Sequence, residues 1–388
     1  MRLAILGCGQ LARMLAQAAA HLEVDCVFVA IEGETTDCVR ALGPVVRWAP
    51  GADAGGLYLA LGKPDVVTVE RESVDTGLLR ELQALCTVLP DADSVRVGQN
   101  RGLERSLLDS LAIPCAPHRV AHTVDGVRAA VAALGLPLVV KATEAGYDGK
   151  LQWRLRNEDD VEAFCLQQRA GEYLLEQWVD FEREVSVVAV RGRNGEFRAY
   201  PLTENLHRDG ILLASIAPAR TASATSQARA ESRARAIMEG LNYTGVMAVE
   251  FFVVAGDLWV NELAPRVHNS GHWTMNATAA GQFENHVRAV MGLPLGDTGQ
   301  ARPAGMVNLL GLSTASESAP MPAVDLHWHD YNKVPAAGRK MGHVNVLADR
   351  HAELLVALDR LHQAIYGSAN AQLATSEDNT GARSASCQ

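Results

Sequence analysis

The sequence predicts an α/β protein, α+β overall, built from three parts. In the first quarter of the chain, short apolar strands alternate with amphipathic helices, which is typical of a parallel sheet with right-handed crossovers. Longer apolar strands follow, among them an antiparallel hairpin, and a small β-rich unit precedes the end of the chain. A length of 388 residues allows two or three domains that each bury a core.

Composition limits the class of protein. A hydrophobic content of 48% and a charged content of 21% are ordinary for a soluble globular protein, and the net charge of −10 argues against a surface that coats nucleic acid. No apolar run approaches the roughly 18 residues of a membrane span. The seven cysteines are scattered without a CxxC pair, as in a reducing compartment. We therefore expect a cytoplasmic protein with small-molecule substrates and neither a nucleic acid nor a membrane as partner.

The N-terminal part, residues 1–98, is predicted to be Rossmann-like. Its expected elements are strands at 2–6, 26–31, 45–48 and 65–69 and helices at 10–21 and 75–85. Gly7 and Gly9 lie between the first strand and helix, where a phosphate can bind, and Glu32 follows the second strand. This pattern raises the alternative of a nicotinamide-dependent oxidoreductase, although any tight turn between strand and helix also selects glycine.

The central part, residues 99–297, carries the first candidate for phosphate binding. Helices are expected at 101–111, 124–134, 158–168, 223–241 and 277–291, and strands at 138–142, 173–179 and 184–191. Lys141 ends an apolar strand, and a glycine-bearing loop, Tyr147–Lys150, follows it. Such a lysine often points at phosphate, and a mobile loop can close over it. An ordinary strand-end lysine remains equally compatible with the pattern.

The hairpin at Val246–Leu263 carries the strongest chemical signal. If Ala255, Gly256 and Asp257 form its loop, Val254 faces Leu258 and Glu250 faces Glu262. Facing carboxylates on a buried sheet repel each other unless protons or a cation lie between them, which predicts Mg²⁺ or Mn²⁺. The alternative is a solvated carboxylate at a sheet edge.

Several polar segments are further candidates. Glu70 and Glu72 follow a predicted parallel strand, at the edge where open α/β sheets bind ligands. The run 261–273 is rich in polar residues, and the segments 204–210 and 338–343 are either charged loops or parts of a site for an anionic substrate. In the C-terminal part, residues 298–365, strands are expected at 306–310 and 342–346 and a helix at 351–365. The remainder, 366–388, is predicted to be a disordered tail.

Taken in order, these segments resemble the ATP-grasp superfamily, and within it the N5-carboxyaminoimidazole ribonucleotide synthase family. The resemblance extends from Gly7 to about Val346. Its most specific stretches are ENLHRDGIL at 204–212, NELAPRVHNSGHW at 261–273 and GRKMGH at 338–343. It implies a central ATP-grasp domain.

The resemblance also implies a role for individual residues. Glu250 and Glu262 would hold Mg²⁺ (or Mn²⁺). The residues implied at ATP are Arg101, Lys141, Glu176, Gln177, Val179, Glu184, His207, Asn261 and Glu262. Those implied at the ribonucleotide are Gln10, Leu11, Glu70, Asn269, Arg339 and Lys340. Those implied in catalysis are Tyr147, Asp148, Lys150, Arg266 and Lys340.

The implied reaction is the ATP-dependent carboxylation of 5-aminoimidazole ribonucleotide by bicarbonate through carboxyphosphate, in purine biosynthesis, by a homodimer. The sequence departs from the family at five positions: Arg105 replaces a usual lysine, Ala336 a usual arginine, and Thr143, Glu144 and Ala145 stand where a basic pair and a glycine are usual. Because the changes at Thr143, Glu144 and Ala336 remove positive charge near an anionic substrate, another ATP-grasp ligase for a related ribonucleotide remains an alternative. A nucleotide-sensing module without turnover is a second one.

Overall fold

The computed structural model describes residues 1–31, 33–144, 151–167, 171–208, 210–311 and 324–367. Three sheets organise these residues. They are a parallel five-stranded sheet, an antiparallel four-stranded sheet and an antiparallel nine-stranded sheet. None of the helices in the described ranges is long and apolar enough to cross a membrane.

The N-terminal residues form the parallel sheet, in the order β3-β2-β1-β4-β5. Its strands are β1 (Arg2–Leu6), β2 (Asp25–Ile31), β3 (Val45–Trp48), β4 (Val66–Val69) and β5 (Thr87–Val88), and its helices are α1 (Gln10–His21), α2 (Ala54–Ala60), α3 (Thr76–Gln83) and α4 (Ala92–Gln99). The strands are apolar on both faces because helices cover both, as expected for a parallel sheet. The predicted strands and α1 are confirmed; α2 and α4 were not predicted.

The four-stranded sheet is a separate layer with the order β6-β9-β7-β8. Its strands are β6 (His118–Ala121), β7 (Leu138–Ala142), β8 (Gln152–Leu155) and β9 (Tyr173–Gln177); the nearby helices are α5 (Arg101–Ser110), α6 (Val124–Leu134) and α7 (Glu158–Gln167). One face packs on α6 and α7 through Val127, Val131, Val161 and Phe164. The other face is left for the cavity described below.

The nine-stranded sheet has the order β15-β14-β10-β12-β13-β16-β18-β17, with β11 beside β10. Its strands are β10 (Arg183–Arg191), β11 (Phe197–Ala199), β12 (Thr203–Arg208), β13 (Ile211–Ala217), β14 (Gly245–Val254), β15 (Asp257–Ala264), β16 (Ala304–Leu310), β17 (Val324–Asp330) and β18 (Lys340–Ala348); its helices are α8 (Ala224–Gly240), α9 (Thr274–Ala277), α10 (Gln282–Met291) and α11 (His351–Tyr366). The sheet is continuous across position 298, because β13 pairs with β16 from Ala214↔Val307 to Ala217↔Ala304.

The hairpin β14–β15 brings Glu250 opposite Glu262 as predicted, but the predicted loop is wrong. The loop has two residues, because Val254 pairs with Asp257. Ala255 and Gly256 both have positive φ, the combination that a tight two-residue hairpin turn requires. A β-bulge then places Asn261 as an extra residue between Val260, which pairs with Phe251, and Glu262. The bulge restores the register that the shorter loop had shifted by one residue.

Two other predictions about elements need correction. The segment 204–210 is not a charged loop for most of its length: Thr203–Arg208 is strand β12, in which Thr203, Glu204 and Asn205 are buried. The helix expected at 277–291 begins at Gln282, after the short α9. Strands β6, β8, β11, β13 and β17 were not predicted. Glu32, Asp209, Tyr147–Lys150 and the tail from 368 lie outside the described residues, so the predictions made for them stay untested.

Candidate active site

A cavity of about 2130 Å³ lies between the three sheets. Since a pocket for one small ligand usually measures about 300–1,000 Å³, this cavity has room for two. Its lining includes every described residue that the sequence assigned to a site: Gln10, Leu11, Glu70, Arg101, Lys141, Glu176, Gln177, Val179, Glu184, His207, Glu250, Asn261, Glu262, Arg266, Asn269, Arg339 and Lys340. The structure therefore brings all of these residues together. Tyr147, Asp148 and Lys150 lie outside the described residues.

The N-terminal wall of the cavity is built on Glu70. Its carboxylate accepts hydrogen bonds from the backbone N–H groups of Gly9 (2.6 Å) and Ala12 (2.8 Å), at the N-terminus of α1. A Cβ atom at Gly7 or Gly9 would lie 2.4–2.8 Å from the Glu70 side chain, so this contact explains both glycines. A carboxylate occupies the place where a dinucleotide phosphate would bind, and the dinucleotide interpretation of the glycines is wrong.

Beside this wall, the chain brings a half-buried lysine onto Gln10. Lys333 Nζ donates to Gln10 Oε1 (2.6 Å) and to the backbone oxygen of Lys340 (3.1 Å), and it lies over the Tyr331 ring. Burial lowers the pKa of Lys333. Lys333 was not predicted as a site residue. Its position seven residues before Lys340, in a polar segment, was the only available signal.

Arg266 lies between the N-terminal part and the hairpin. Its guanidinium forms an ion pair with Glu72, which holds the pKa of that carboxyl below its usual value despite burial. Gln99 Nε2 donates to the backbone oxygens of Glu72 and Val74, both at 2.6 Å. Arg266 is therefore fixed by residues that are distant in sequence and closes the cavity between the first and third sheets.

At the far end of the cavity, a buried cluster of charges joins the second sheet to the hairpin. Glu176 accepts from Lys141 Nζ (2.6 Å) and from Arg105 Nε (2.7 Å). These two cations outweigh the effect of burial and lower the pKa of Glu176 to about 2. Arg105 also pairs with Glu104 and donates to the backbone oxygen of Asn261 (2.7 Å). Glu104 was not predicted as a site residue.

The remaining residues assigned to ATP line the wall between this cluster and the hairpin. Glu184 pairs with His207 at 2.7 Å, and this contact raises the pKa of His207 against the effect of burial. The Gln177 side chain donates to the backbone oxygen of Leu134 (2.6 Å) and is thus bound within the protein. Arg101 NH1 donates to the backbone oxygen of Ala142 (2.9 Å), at the end of the lysine strand.

The facing pair Glu250 and Glu262 forms the chemically open part of the site. Burial, with like charge from Glu262 and Glu184, raises the pKa of Glu250 to about 7, against the opposing effect of His207. Glu262 is exposed to the cavity, contrary to the prediction that both carboxylates are buried. His268 Nε2 lies 3.6 Å from Glu250 Oε1, too far for a direct hydrogen bond. Two carboxylates on one face are suitable ligands for Mg²⁺ or Mn²⁺.

A buried polar relay orients His268. Asn205 Nδ2 donates to Ser186 Oγ, which donates to Ser270 Oγ, each at 2.9 Å. The Ser270 hydroxyl then donates to His268 Nδ1 (2.9 Å), and the Ser270 N–H also points to this nitrogen. Because Nδ1 accepts, the proton of the neutral ring lies on Nε2, facing Glu250. Burial lowers the pKa of His268, so the ring is neutral at physiological pH.

Asn269 follows in a 3₁₀ turn, Asn269–Gly271, that Gln282 holds in place. Gln282 Oε1 accepts from His268 N–H (2.8 Å), and its Nε2 donates to the His268 oxygen (2.6 Å). Both polar atoms of the Asn269 side chain are buried without a partner among the described residues. An amide left unpaired in this way costs free energy, so it is poised to bind a polar ligand.

The departures from the family pattern have local explanations. Thr143 is buried, with its hydroxyl donating to the backbone oxygen of Glu172 (3.2 Å), and Glu144 pairs with Arg96 (2.6 Å). Neither side chain adds positive charge to the cavity. At Arg105, the guanidinium keeps the charge of the usual lysine and bonds three acceptors. Nothing in the structure explains the alanine at 336.

Besides the facing glutamates, one group of three potential metal ligands occurs in the described ranges: Asp109, Cys115 and His118. Its spacing was not recognised in the sequence. Asp109 is exposed, and burial raises the pKa of the Cys115 thiol to about 11. Because a neutral thiol is a poor metal ligand, the facing glutamates are the better candidate.

Three family descriptions match successive parts of the chain. They are the ribonucleotide synthetase preATP-grasp domain over residues 1–99, the ATP-grasp domain over 106–283 and the phosphoribosylaminoimidazole carboxylase C-terminal domain over 304–356. These matches confirm the predicted fold class.

Relatives and solved structures agree with this assignment. The N5-carboxyaminoimidazole ribonucleotide synthase of Vibrio vulnificus is 41% identical over 362 residues, 91% of this chain and 93% of that protein. The N5-carboxyaminoimidazole ribonucleotide synthetase of Thermus thermophilus superposes with a TM-score of 0.85 at 37% identity, covering 94% of this chain and 98% of that one. The Aspergillus clavatus synthase, in complex with ADP and 5-aminoimidazole ribonucleotide, has a TM-score of 0.84 at 27% identity, over 94% and 98%.

Proposed function

This chain belongs to the N5-carboxyaminoimidazole ribonucleotide synthase family, and from that premise we propose how its residues divide the work of the reaction. The chain is an ATP-dependent carboxylating ligase that acts on 5-aminoimidazole ribonucleotide in purine biosynthesis. The observation that supports the division is one cavity with the charge cluster of Lys141, Glu176 and Arg105 at one end and the cations Lys333, Arg339 and Lys340 at the other. The facing glutamates lie between them.

At the nucleotide end, Lys141 contacts the phosphates of ATP, and Glu184 contacts the ribose. The Glu176 and Gln177 side chains bond other protein groups, so we propose that residues 176–179 contact adenine through their backbone and the apolar side chain of Val179. Arg101 and His207 complete this end. Placing cations beside the phosphates stabilises the charge that develops during phosphoryl transfer.

Between the two ends, Glu250 and Glu262, with the Asn261 segment beside them, are the residues that would hold Mg²⁺ or Mn²⁺. The fit is supported by the raised pKa of Glu250, since a carboxyl that lacks compensation in the free protein gains it from a cation. When bound, the ion supplies neutralisation of phosphate charge. His268 presents its Nε2 proton towards Glu250.

At the acceptor end, Gln10, Arg339, Lys340 and Lys333 bind the ribonucleotide, and Glu70 holds the α1 N-terminus so that Gln10 and Leu11 are in place. Arg266, Lys340 and the unpaired amide of Asn269 position bicarbonate and the carboxyphosphate derived from it. Carboxyphosphate forms when bicarbonate attacks the γ-phosphate of ATP and ADP leaves. The acceptor amine then forms a bond to the carboxyl carbon, the bond from that carbon to the phosphate oxygen breaks, phosphate leaves and the amine nitrogen loses a proton. On the family resemblance, we assign Tyr147, Asp148 and Lys150 to catalysis together with Arg266 and Lys340.

The test is ADP release with Mg²⁺, bicarbonate and a panel of aminoribonucleotides. We expect ADP formation to require all three components and to be fastest with 5-aminoimidazole ribonucleotide. Faster ADP formation with another ribonucleotide would instead favour the related ligase that the loss of positive charge at residues 143, 144 and 336 raised as an alternative.

The assembly, the cellular location and the boundaries of the parts are further proposals. We propose a homodimer in the cytoplasm, with parts at 1–98, 99–297 and 298–365. Light scattering at several protein concentrations tests the dimer, since a monomeric mass at all of them contradicts it. Limited proteolysis tests the boundaries, because cleavage should concentrate near exposed junctions.

A further inference from the structure

Helix α5 contacts the backbone of strand β15 on both sides of Glu262. Arg105 NH2 donates to the backbone oxygen of Asn261 (2.7 Å), the residue before Glu262. Glu104 Oε2 accepts the backbone N–H of Leu263 (3.2 Å), the residue after it. Two adjacent side chains of one helix thus hold the backbone on either side of a proposed metal ligand, at the bulge that sets its register.

The same arginine reaches the proposed phosphate ligand. Arg105 Nε donates to Glu176 Oε1 (2.7 Å), and the other oxygen of Glu176 accepts from Lys141 Nζ (2.6 Å). Arg105, Glu104 and Glu176 are each no more than 4% exposed. A planar guanidinium presents donors in fixed directions to separate acceptors, which a lysine ammonium does less rigidly.

We propose that Arg105, braced by Glu104, is a positioning residue that sets the distance between Lys141 and Glu262, and so the site for metal-bound nucleotide. This inference rests on the proposed roles of Lys141 and Glu262. Arg105 and Glu104 contact neither the acceptor end nor, by this assignment, the ligand itself. They act through the bulge and through Glu176.

Direct binding and kinetics together test the proposal. In Arg105→Met, we expect the affinity for Mn²⁺ with a non-hydrolysable ATP analogue, measured by calorimetry, to fall about 10- to 100-fold, as is usual when outer-shell partners are lost. KM for ATP should rise in parallel, while KM for the aminoribonucleotide stays unchanged. Arg105→Lys should recover part of the loss because it keeps the charge. Glu104→Ala should weaken Mn²⁺ binding, and its effect should not add to that of Arg105→Met, since both brace one residue.

Leu361→Ala serves as the control for lost stability alone. Leu361 is fully buried on α11, in a different core, so its truncation should lower Tm without changing either KM. If Arg105→Met also lowers Tm but binds Mn²⁺ and the analogue as the wild type does, Arg105 is merely structural and the proposal is overturned. A wild-type enzyme that binds metal-nucleotide yet shows no ADP release dependent on 5-aminoimidazole ribonucleotide would contradict the proposed function instead.

Discussion

The two carboxylates Glu176 and Glu250 lie on walls of one cavity but in opposite electrostatic states. Glu176 is saturated: Lys141 and Arg105 compensate its charge, and its pKa falls to about 2. Glu250 faces another carboxylate, and its pKa rises to about 7. Burial alone does not decide the outcome, since the more deeply buried Glu176 has the lowered pKa and the half-buried Glu250 has the raised one. The difference indicates that Glu176 is part of the scaffold, because its counter-charges are already present in the free protein. Glu250 gains a counter-charge when a ligand binds.

Removing the charge of Glu176 from its cluster with Lys141 and Arg105 should have the largest effect. That effect should be on the free energy of unfolding. Glu176→Gln leaves Lys141 and Arg105 in a buried site without their shared counter-charge. Removing one partner of such a pair usually costs about 3–5 kcal/mol. We expect a loss of that size in the free energy of unfolding, measured by urea denaturation. Glu162→Gln removes the partner of exposed Arg128 and should change nothing measurable. Equal effects of the two variants would refute the scaffold role.

Breaking the open pair should instead affect catalysis. Glu262→Ala removes one of the two proposed metal ligands, and we expect kcat to fall on the order of 10²–10³-fold, the usual loss when one charge-stabilising group is removed. The free energy of unfolding should not fall, because the change also removes repulsion with Glu250. The exposed Glu239→Gln on α8 is the control. Turnover at the wild-type rate after Glu262→Ala would exclude the metal assignment.

The pH dependence of stability should distinguish the two carboxylates. Because the folded-state pKa of Glu250 is raised, its favourable contribution is present below its ordinary pKa and is lost as pH rises through about 7. Wild type should therefore lose up to about 3 kcal/mol relative to Glu250→Gln between about pH 5 and pH 8. The Glu104 carboxyl, also with a pKa near 7, titrates in both proteins and cancels.

Urea denaturation at several pH values measures this difference. Added Mg²⁺ with ATP should reduce it, since a bound cation favours the ionised carboxylate. For Glu176 the sign is opposite: its contribution is present at neutral pH and is lost only as pH falls towards about 2. A wild-type minus Glu250→Gln difference that does not change with pH would contradict the open state of the pair.

The smallest expected effect concerns the acceptor end. Lys333→Met removes the cation that bonds Gln10, and we expect KM for the aminoribonucleotide to rise about 10-fold with kcat little changed, the signature of uniform binding. Lys63→Met, on the surface of the N-terminal part, is the matched control. A rise in KM for ATP instead would place Lys333 at the wrong end of the cavity.

The sequence predicted the parallel sheet well because its strands and helices have clear and different periodicities. It predicted the pairing of Glu250 with Glu262 by a count that contained two compensating errors, a loop one residue too long and an unrecognised bulge at Asn261. A bulge depends on tertiary contacts, here the bond from Arg105 to the Asn261 oxygen, which no local pattern reveals. The predicted pairing of Glu250 with Glu262 was therefore correct although the local pattern did not contain the information that determines it.

Long-range pairing also explains what the sequence missed. Glu104 and Lys333 gain their roles from partners at least 159 residues away, Leu263 and Gln10. Strand β12 resembled a loop because its polar side chains suggested solvent, whereas Asn205 and Glu204 are buried against Ser186 and Arg220. Polarity predicts exposure only when no buried partner exists elsewhere in the chain.

The hydrogen bonding of β13 to β16 has a practical consequence for dissecting the molecule. A fragment that stops at residue 297 would end the nine-stranded sheet at β13 and expose a row of unpaired backbone groups next to the apolar Ala214 and Ile216. Such an edge is a template for pairing with a second copy. A shortened protein made to study nucleotide binding alone should therefore retain β16 and β18, or replace them with a designed edge carrying charge or proline.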